Sequence, residues 1–169
     1  MGNGIEERSW DRTDVFLVSK VWNTDQGYDT TLKAFEASLE RLGTDYLDLY
    51  LMHWPVALKP GVPFPKSADD MVSLKELPVE TTWAAMEALV DNNQTRQIGV
   101  SNFSVKKLQD LLGKARYNPS MNQVELHPSR PQNSMLASCN ATVMSLPRYS
   151  PPGPYPRPPT LHAETHHML

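Results

Sequence analysis

One cysteine, Cys139, is all that the 169 residues contain. An internal disulfide framework and a cysteine-rich zinc site are thereby excluded, and a reducing compartment is the natural setting. A basic excess is missing too: 16 Lys and Arg stand against 19 Asp and Glu, a net charge of −3. Nothing in that balance suggests nucleic acid or an anionic membrane as a partner. No window approaches the roughly 18 apolar residues of a membrane span, and Met1 to Arg8 offers no apolar stretch for a signal peptide. The chain is therefore expected to be cytoplasmic. Myristoylation at Gly2 is not expected either, because Glu6 stands where the motif wants Ser or Thr. Glycines number only 8, and no Gly-x-Gly-x-x-Gly follows any apolar run, which removes the usual phosphate-binding turn of a dinucleotide-binding domain. Proline is the exception at 15, and Pro147, Pro151, Pro152, Pro154, Pro156, Pro158 and Pro159 crowd the C-terminal end.

Length alone allows one domain with a sizeable core. Within it, strand and helix patterns alternate. Val15-Phe16-Leu17-Val18 is a short apolar run that predicts a strand ending at Ser19-Lys20. Leu32, Phe35, Leu39 and Leu42 recur at helical spacing, with Gly43 as the stop. Tyr46 to Met52 is apolar on both faces except for Asp48, as in a strand covered on both sides. A Pro-broken stretch from Val56 to Pro78 reads as a functional loop. Val79, Trp83, Met86 and Val90 predict the next helix, Ile98 to Ser101 a strand, and Ser104 the cap of a helix carrying Val105, Leu108, Leu111 and Leu112. Met121 to Glu125 predicts a further strand and Gln132 to Asn140 a weaker helix.

Strands separated by single helices imply parallel pairing, hence an α/β protein of either doubly wound or barrel type. Polar residues decide between them. Lys20, His53, Ser101 with Asn102, and Gln123 each close a strand. In a (β/α)8 barrel those ends converge on one mouth, where binding and reactive groups collect. Any one of these residues alone reads equally well as a satisfied strand cap, but four in succession favour the barrel.

The segments Leu17 to Trp22, Arg41 to Pro55, Ile98 to Phe103 and Asn122 to Pro128 together resemble the aldo-keto reductases, in order and in spacing. The resemblance is dense from about Gly4 to Asn140. It implies a TIM barrel, present here as a partial barrel, and reduction of an aldehyde or ketone to an alcohol with NADPH. By the same match Lys20 and His53 are two members of the family's catalytic Asp-Tyr-Lys-His set. Trp22 and Trp54, with His53, would wall the substrate pocket. Ser101, Asn102 and Gln123 would hold the nicotinamide carboxamide, which offers one acceptor and one donor pair. Tyr149-Ser150 resembles a segment whose tyrosine stacks on the nicotinamide, although Pro147 sits close by, where a central strand tolerates it poorly. Trp83 reads instead as core packing.

The match leaves the family's Asp and Tyr without counterparts, since Tyr28, Tyr46, Tyr50 and Tyr117 stand in other motif contexts. Residues 1–140 are accordingly expected to form part of a reductase barrel, impaired as a catalyst and truncated, and residues 141–169 a Pro-rich, His-containing tail. The alternative is a non-catalytic interaction protein that uses a basic-x-x-Pro-x-x-Pro pattern at Arg148 to Pro154. His162, Glu164, His166 and His167 lack a scaffold that would fix metal geometry, and no metal is expected.

Overall fold

A computed structural model describes residues 11–125 together with 148–149. Five parallel strands form its centre: β1 (Val18–Val21), β2 (Leu47–Met52), β5 (Thr95–Ser101), β6 (Asn122–Glu125) and β7 (Arg148–Tyr149). They lie side by side in chain order, β1-β2-β5-β6-β7. A doubly wound sheet would reverse direction at an interior strand. Sequential order with right-handed crossovers instead places every connecting helix on one face, as in a barrel wall. Three helices supply the crossovers: α1 (Tyr28–Leu42), α2 (Val79–Asp91) and α3 (Val105–Leu112).

Two helix ends fall at the residues the sequence marks for them. Gly43 closes α1 at φ 63°, ψ 47°, a left-handed conformation that costs glycine nothing, and its N–H reaches back to the Glu40 and Leu39 carbonyls. Ser104 caps α3 by accepting from the Lys107 amide. Phe35 of α1, Trp83, Met86 and Leu89 of α2, and Leu108 and Leu111 of α3 pack onto Val21, Tyr50, Met52, Ile98 and Val100 of the sheet. The Trp83 ring is buried there, and its indole N–H donates to the Tyr117 carbonyl at 3.2 Å.

Three expectations need correction. β1 starts three residues later than Val15, because Arg12–Asp14 forms a 3-10 turn capped by Asp11 and the Leu17 amide donates to the Asp48 side-chain carboxylate, not to a backbone carbonyl of β2. Phe16 is left 61 % exposed. Lys20 therefore lies within β1, and Trp22 is the residue that follows its end. The Pro-broken stretch is also more ordered than its composition suggests. It holds an antiparallel hairpin of β3 (Ala57–Leu58) and β4 (Met71–Val72). Finally, β7 forms directly after Pro147, so that proline does not prevent the pairing of Arg148 with Val124 and of Tyr149 with Glu125. The predicted helix from Gln132 to Asn140, Ser150 and the Pro-rich, His-containing tail lie outside the described residues. Among those described, no helix is long and apolar enough to cross a membrane.

The N-terminal end of the sheet is fastened by Asp48, the charged residue of an otherwise apolar strand. Its carboxylate meets Arg12 at 2.9 Å and Arg96 at 3.2 Å, and the same two guanidinium groups stack on the Tyr46 ring, 3.9 and 4.6 Å from its centroid. Burial by itself would push the Asp48 carboxyl up; the Leu17 amide, Arg12 and Arg96 outweigh it and hold the group below its ordinary value.

Candidate active site

Strand register decides which side chains meet. Val18 is level with Leu49 and Lys20 with Leu51; Leu49 is level with Gln97 and Leu51 with Gly99; Ser101 is level with Gln123. Residues two apart on a strand share a face. Lys20, Leu51 and Gly99 therefore belong to one layer, and Trp22, His53, Ser101 and Gln123 to the next layer towards the C-terminal ends. That face is opposite to the one carrying Val21, Tyr50, Met52, Ile98 and Val100, which the helices cover. In barrel terms it is the interior, and its C-terminal rim is where reactive groups gather.

His53 is tied to strands on both sides. Its amide donates to the Val21 carbonyl at 3.3 Å, and its carbonyl accepts from the Asn102 side-chain amide at 3.0 Å. Its ring meets Trp22 edge-on, with centroids 4.9 Å apart, and Trp22 in turn meets Phe64 of the β3–β4 connection at 5.8 Å. Burial, and then the nearby Lys20 ammonium, lower the imidazole's pKa, so the neutral ring is favoured. A neutral imidazole offers one N–H donor, suited to a carbonyl oxygen.

The second group of residues forms a connected polar set. Ser101 is buried; its hydroxyl donates to the Gln123 carbonyl at 2.8 Å and accepts from Asn102 Nδ2 at 3.1 Å. The Asn102 amide N–H also donates to the Gln123 carbonyl at 3.0 Å. Asn102 adopts φ 61°, a left-handed conformation that asparagine accepts more readily than most residues, and this turn lets one side chain reach both His53 and Ser101. Tyr149 is placed by its backbone in register with Glu125, next along the sheet.

Trp54 is half-buried on the segment after β2. Its position depends on a residue that the motifs did not single out. Gln26, itself buried, donates from Nε2 to the Trp54 carbonyl at 2.7 Å and to the Val56 carbonyl at 3.0 Å. One amide thus clamps the chain on either side of Pro55. A buried polar residue in the turn between β1 and α1 was the available signal, but sequence alone does not say what such a residue bonds.

The side chains of Tyr28, Tyr46, Tyr50 and Tyr117 are described, and none makes a hydrogen bond or ring contact with Lys20 or His53. Tyr28 opens α1 and is exposed, Tyr46 stacks with Arg12 and Arg96, Tyr50 packs edge-on against Phe35, and Tyr117 bonds Asp91. No cluster of three or more His, Cys, Asp or Glu side chains able to hold a metal occurs among the described residues.

A sequential parallel sheet whose connecting helices all cover one face defines a segment of a (β/α)8 barrel wall. Comparison with known proteins makes the class specific. The Aldo/keto reductase family profile matches residues 1–153, and the chain belongs to that oxidoreductase family. An aldo/keto reductase of Synechocystis is 45 % identical over 147 residues, which cover 87 % of this chain and 45 % of the relative. Glyoxal reductase of Bacillus subtilis is 44 % identical over 151 residues, covering 89 % and 48 %. The crystal structure of the Bombyx mori aldo-keto reductase in complex with NADP superposes with a TM-score of 0.77 at 31 % identity, covering 88 % of this chain and 45 % of that one. The chain spans about half the length of the curated relatives it matches.

Proposed function

We propose that this chain carries one half of a nicotinamide-dependent carbonyl reductase site, with His53 facing the carbonyl oxygen of an aldehyde or ketone. The observation that carries the reading is the single sheet face that bears Trp22, His53, Ser101 and Gln123 at its rim and Lys20 one layer beneath, with the imidazole's pKa lowered by burial and by Lys20.

The polar set fits a carboxamide. The Ser101 hydroxyl already gives its proton to the Gln123 carbonyl, so what it offers a ligand is an acceptor. The side-chain amide of Gln123 has no partner among the described residues and provides both a donor and an acceptor. Asn102 fixes the geometry between them through its bonds to Ser101 and His53. NADPH, when bound, supplies hydride to the carbonyl carbon. Ser101, Asn102 and Gln123 orient its carboxamide, and Tyr149 and Ser150 are proposed to complete that wall.

His53 donates a hydrogen bond to the substrate oxygen and stabilises the charge that develops on it. Lys20 acts on the same centre through its field, which disfavours the imidazolium. Trp22 and Trp54 exclude water and select a small, partly apolar substrate. No tyrosine among the described side chains stands beside Lys20 and His53 to deliver the proton that the product alcohol needs, and a neutral imidazole is a weak acid, so turnover is expected to be slow. The proposed reductase portion, residues 1–140, is joined by β7 at Arg148–Tyr149, and the Pro-rich tail is proposed to follow that strand.

The test is NADPH binding, followed by the quenching of protein fluorescence, and NADPH oxidation with a panel of aldehydes. Binding weakened by Gln123→Ala, with slow aldehyde-dependent oxidation lost in His53→Ala, is the expected pair of results. A folded chain that does not bind NADPH sinks the reading.

A further inference from the structure

Outside the rim, a cleft pairs an apolar lining with a cation that has no acidic partner among the described residues. It has a volume of about 350 Å³ and lies between Pro55 and Val56 on one side and the Met71–Leu74 end of the hairpin on the other, with Lys107 of α3 closing it. The lining is almost wholly hydrocarbon, and Leu74 is 48 % exposed. Lys107 is half-buried, and its ammonium has a single contact among the described residues, the Pro55 carbonyl at a long 3.4 Å. Among the described residues the exposed Lys114 makes the contrast, since its ammonium is paired with Glu80.

We propose that this cleft binds the carboxylate end of a small aliphatic acid, with Lys107 on the carboxylate and the Met71–Leu74 wall on the hydrocarbon chain. The chemistry of the residues sets the class. An ammonium drawn into hydrocarbon loses hydration, and burial lowers the Lys107 pKa accordingly. A carboxylate would restore the missing counter-charge with a charge-assisted hydrogen bond. Lys107 also stands in the first turn of α3, where aligned peptide dipoles favour negative charge. A hydrophilic anion such as phosphate would leave the Pro55, Val56, Met71 and Leu74 surfaces without a partner, so an amphiphilic acid fits better than an inorganic one. The site is distinct from the reductase rim: none of its lining residues is Lys20, Trp22, His53, Ser101 or Gln123.

Isothermal titration of the full chain with octanoate, octylammonium and inorganic phosphate tests the proposal. Octanoate is expected to bind at one site, at least about tenfold more tightly than either of the others, a difference of ~1.4 kcal/mol. Lys107→Met is expected to weaken octanoate about tenfold or more, and Lys107→Arg to keep most of the affinity. Thermal melts of both variants check that they fold. His53→Ala is expected to leave octanoate binding unchanged, which keeps this test independent of the reductase reading. Absence of octanoate binding, equal binding of octylammonium, or binding lost in His53→Ala but kept in Lys107→Met would each overturn it.

Discussion

Gly99→Ala is a substitution for which two general effects predict opposite signs. Gly99 lies mid-strand in β5, and replacing a strand glycine whose backbone alanine can adopt removes unfolded-chain freedom, a gain of about 0.4–1 kcal/mol. The structure opposes this. A Cβ at Gly99 would stand 2.8 Å from Leu51 Cδ2, 2.8 Å from the Met121 carbonyl oxygen and 3.3 Å from Met121 Cβ. Leu51 is fully buried, and the Met121 carbonyl is pinned because it accepts from the Val100 amide at 2.8 Å. Neither neighbour yields cheaply, so the strain belongs to the overpacking class, about 1–3 kcal/mol. The net expectation is a loss of about 1–2 kcal/mol, or a fall in Tm of about 2–8 °C for a chain of this size. Denaturant unfolding followed by far-UV circular dichroism measures it. Gly113→Ala is the control, since a Cβ there meets nothing nearer than 3.7 Å and the residue has φ −70°; it is expected to be neutral or stabilising. If Gly99→Ala matched Gly113→Ala, the argument that β5 and β6 approach too closely for a side chain would be refuted. The same strain would part Ser101 from Gln123, so NADPH binding should weaken alongside stability.

Four further outcomes follow from particular contacts. Asp48→Asn is expected to cost about 2–3 kcal/mol, because Arg12 and the Leu17 amide lose a charged acceptor. The Asp48 carboxyl is held below its ordinary value of 3.8, so its contribution is complete above that pH and disappears as pH falls through the depressed value; the gap between wild type and variant should close in acid. Tyr50→Phe should leave stability equal or raise it by up to about 1 kcal/mol, since the buried hydroxyl has no partner among the described residues; a loss beyond that in denaturant titration would show that the hydroxyl is bonded. Gln26→Ala frees the Trp54 and Val56 carbonyls and should speed amide hydrogen exchange across the segment after β2 by about tenfold, equivalent to ~1.4 kcal/mol. By NMR titration His53 should protonate below its ordinary value of 6.5, and Lys20→Met should raise that midpoint only part of the way, because burial is the larger cause.

The sequence carried the fold through its periodicities; strand ends marked His53, Ser101 and Asn102, whereas Lys20 and Gln123 stand inside β1 and β6 rather than at their ends. Leu32, Phe35, Leu39 and Leu42 mark α1 because helix burial repeats near 3.6 residues, and the all-buried β2 shows as a continuous apolar run. What was not legible depended on partners remote in sequence. Val15 to Leu17 has the composition of a strand, yet Asp48, a full helix away, takes the Leu17 amide and starts β1 later. Gln26 is an unremarkable turn residue until β2 brings the Trp54 and Val56 carbonyls over it. The rim itself follows from a period of two: once Lys20 is level with Leu51, and Leu51 with Gly99, the parity of each strand places His53, Ser101 and Gln123 on the same face. A one-residue slip of any strand would send its member of the site to the helix side. Register is therefore the property on which the site depends, and Gly99, which allows β5 and β6 to close at the level beneath Ser101, belongs to the function as much as the polar residues above it.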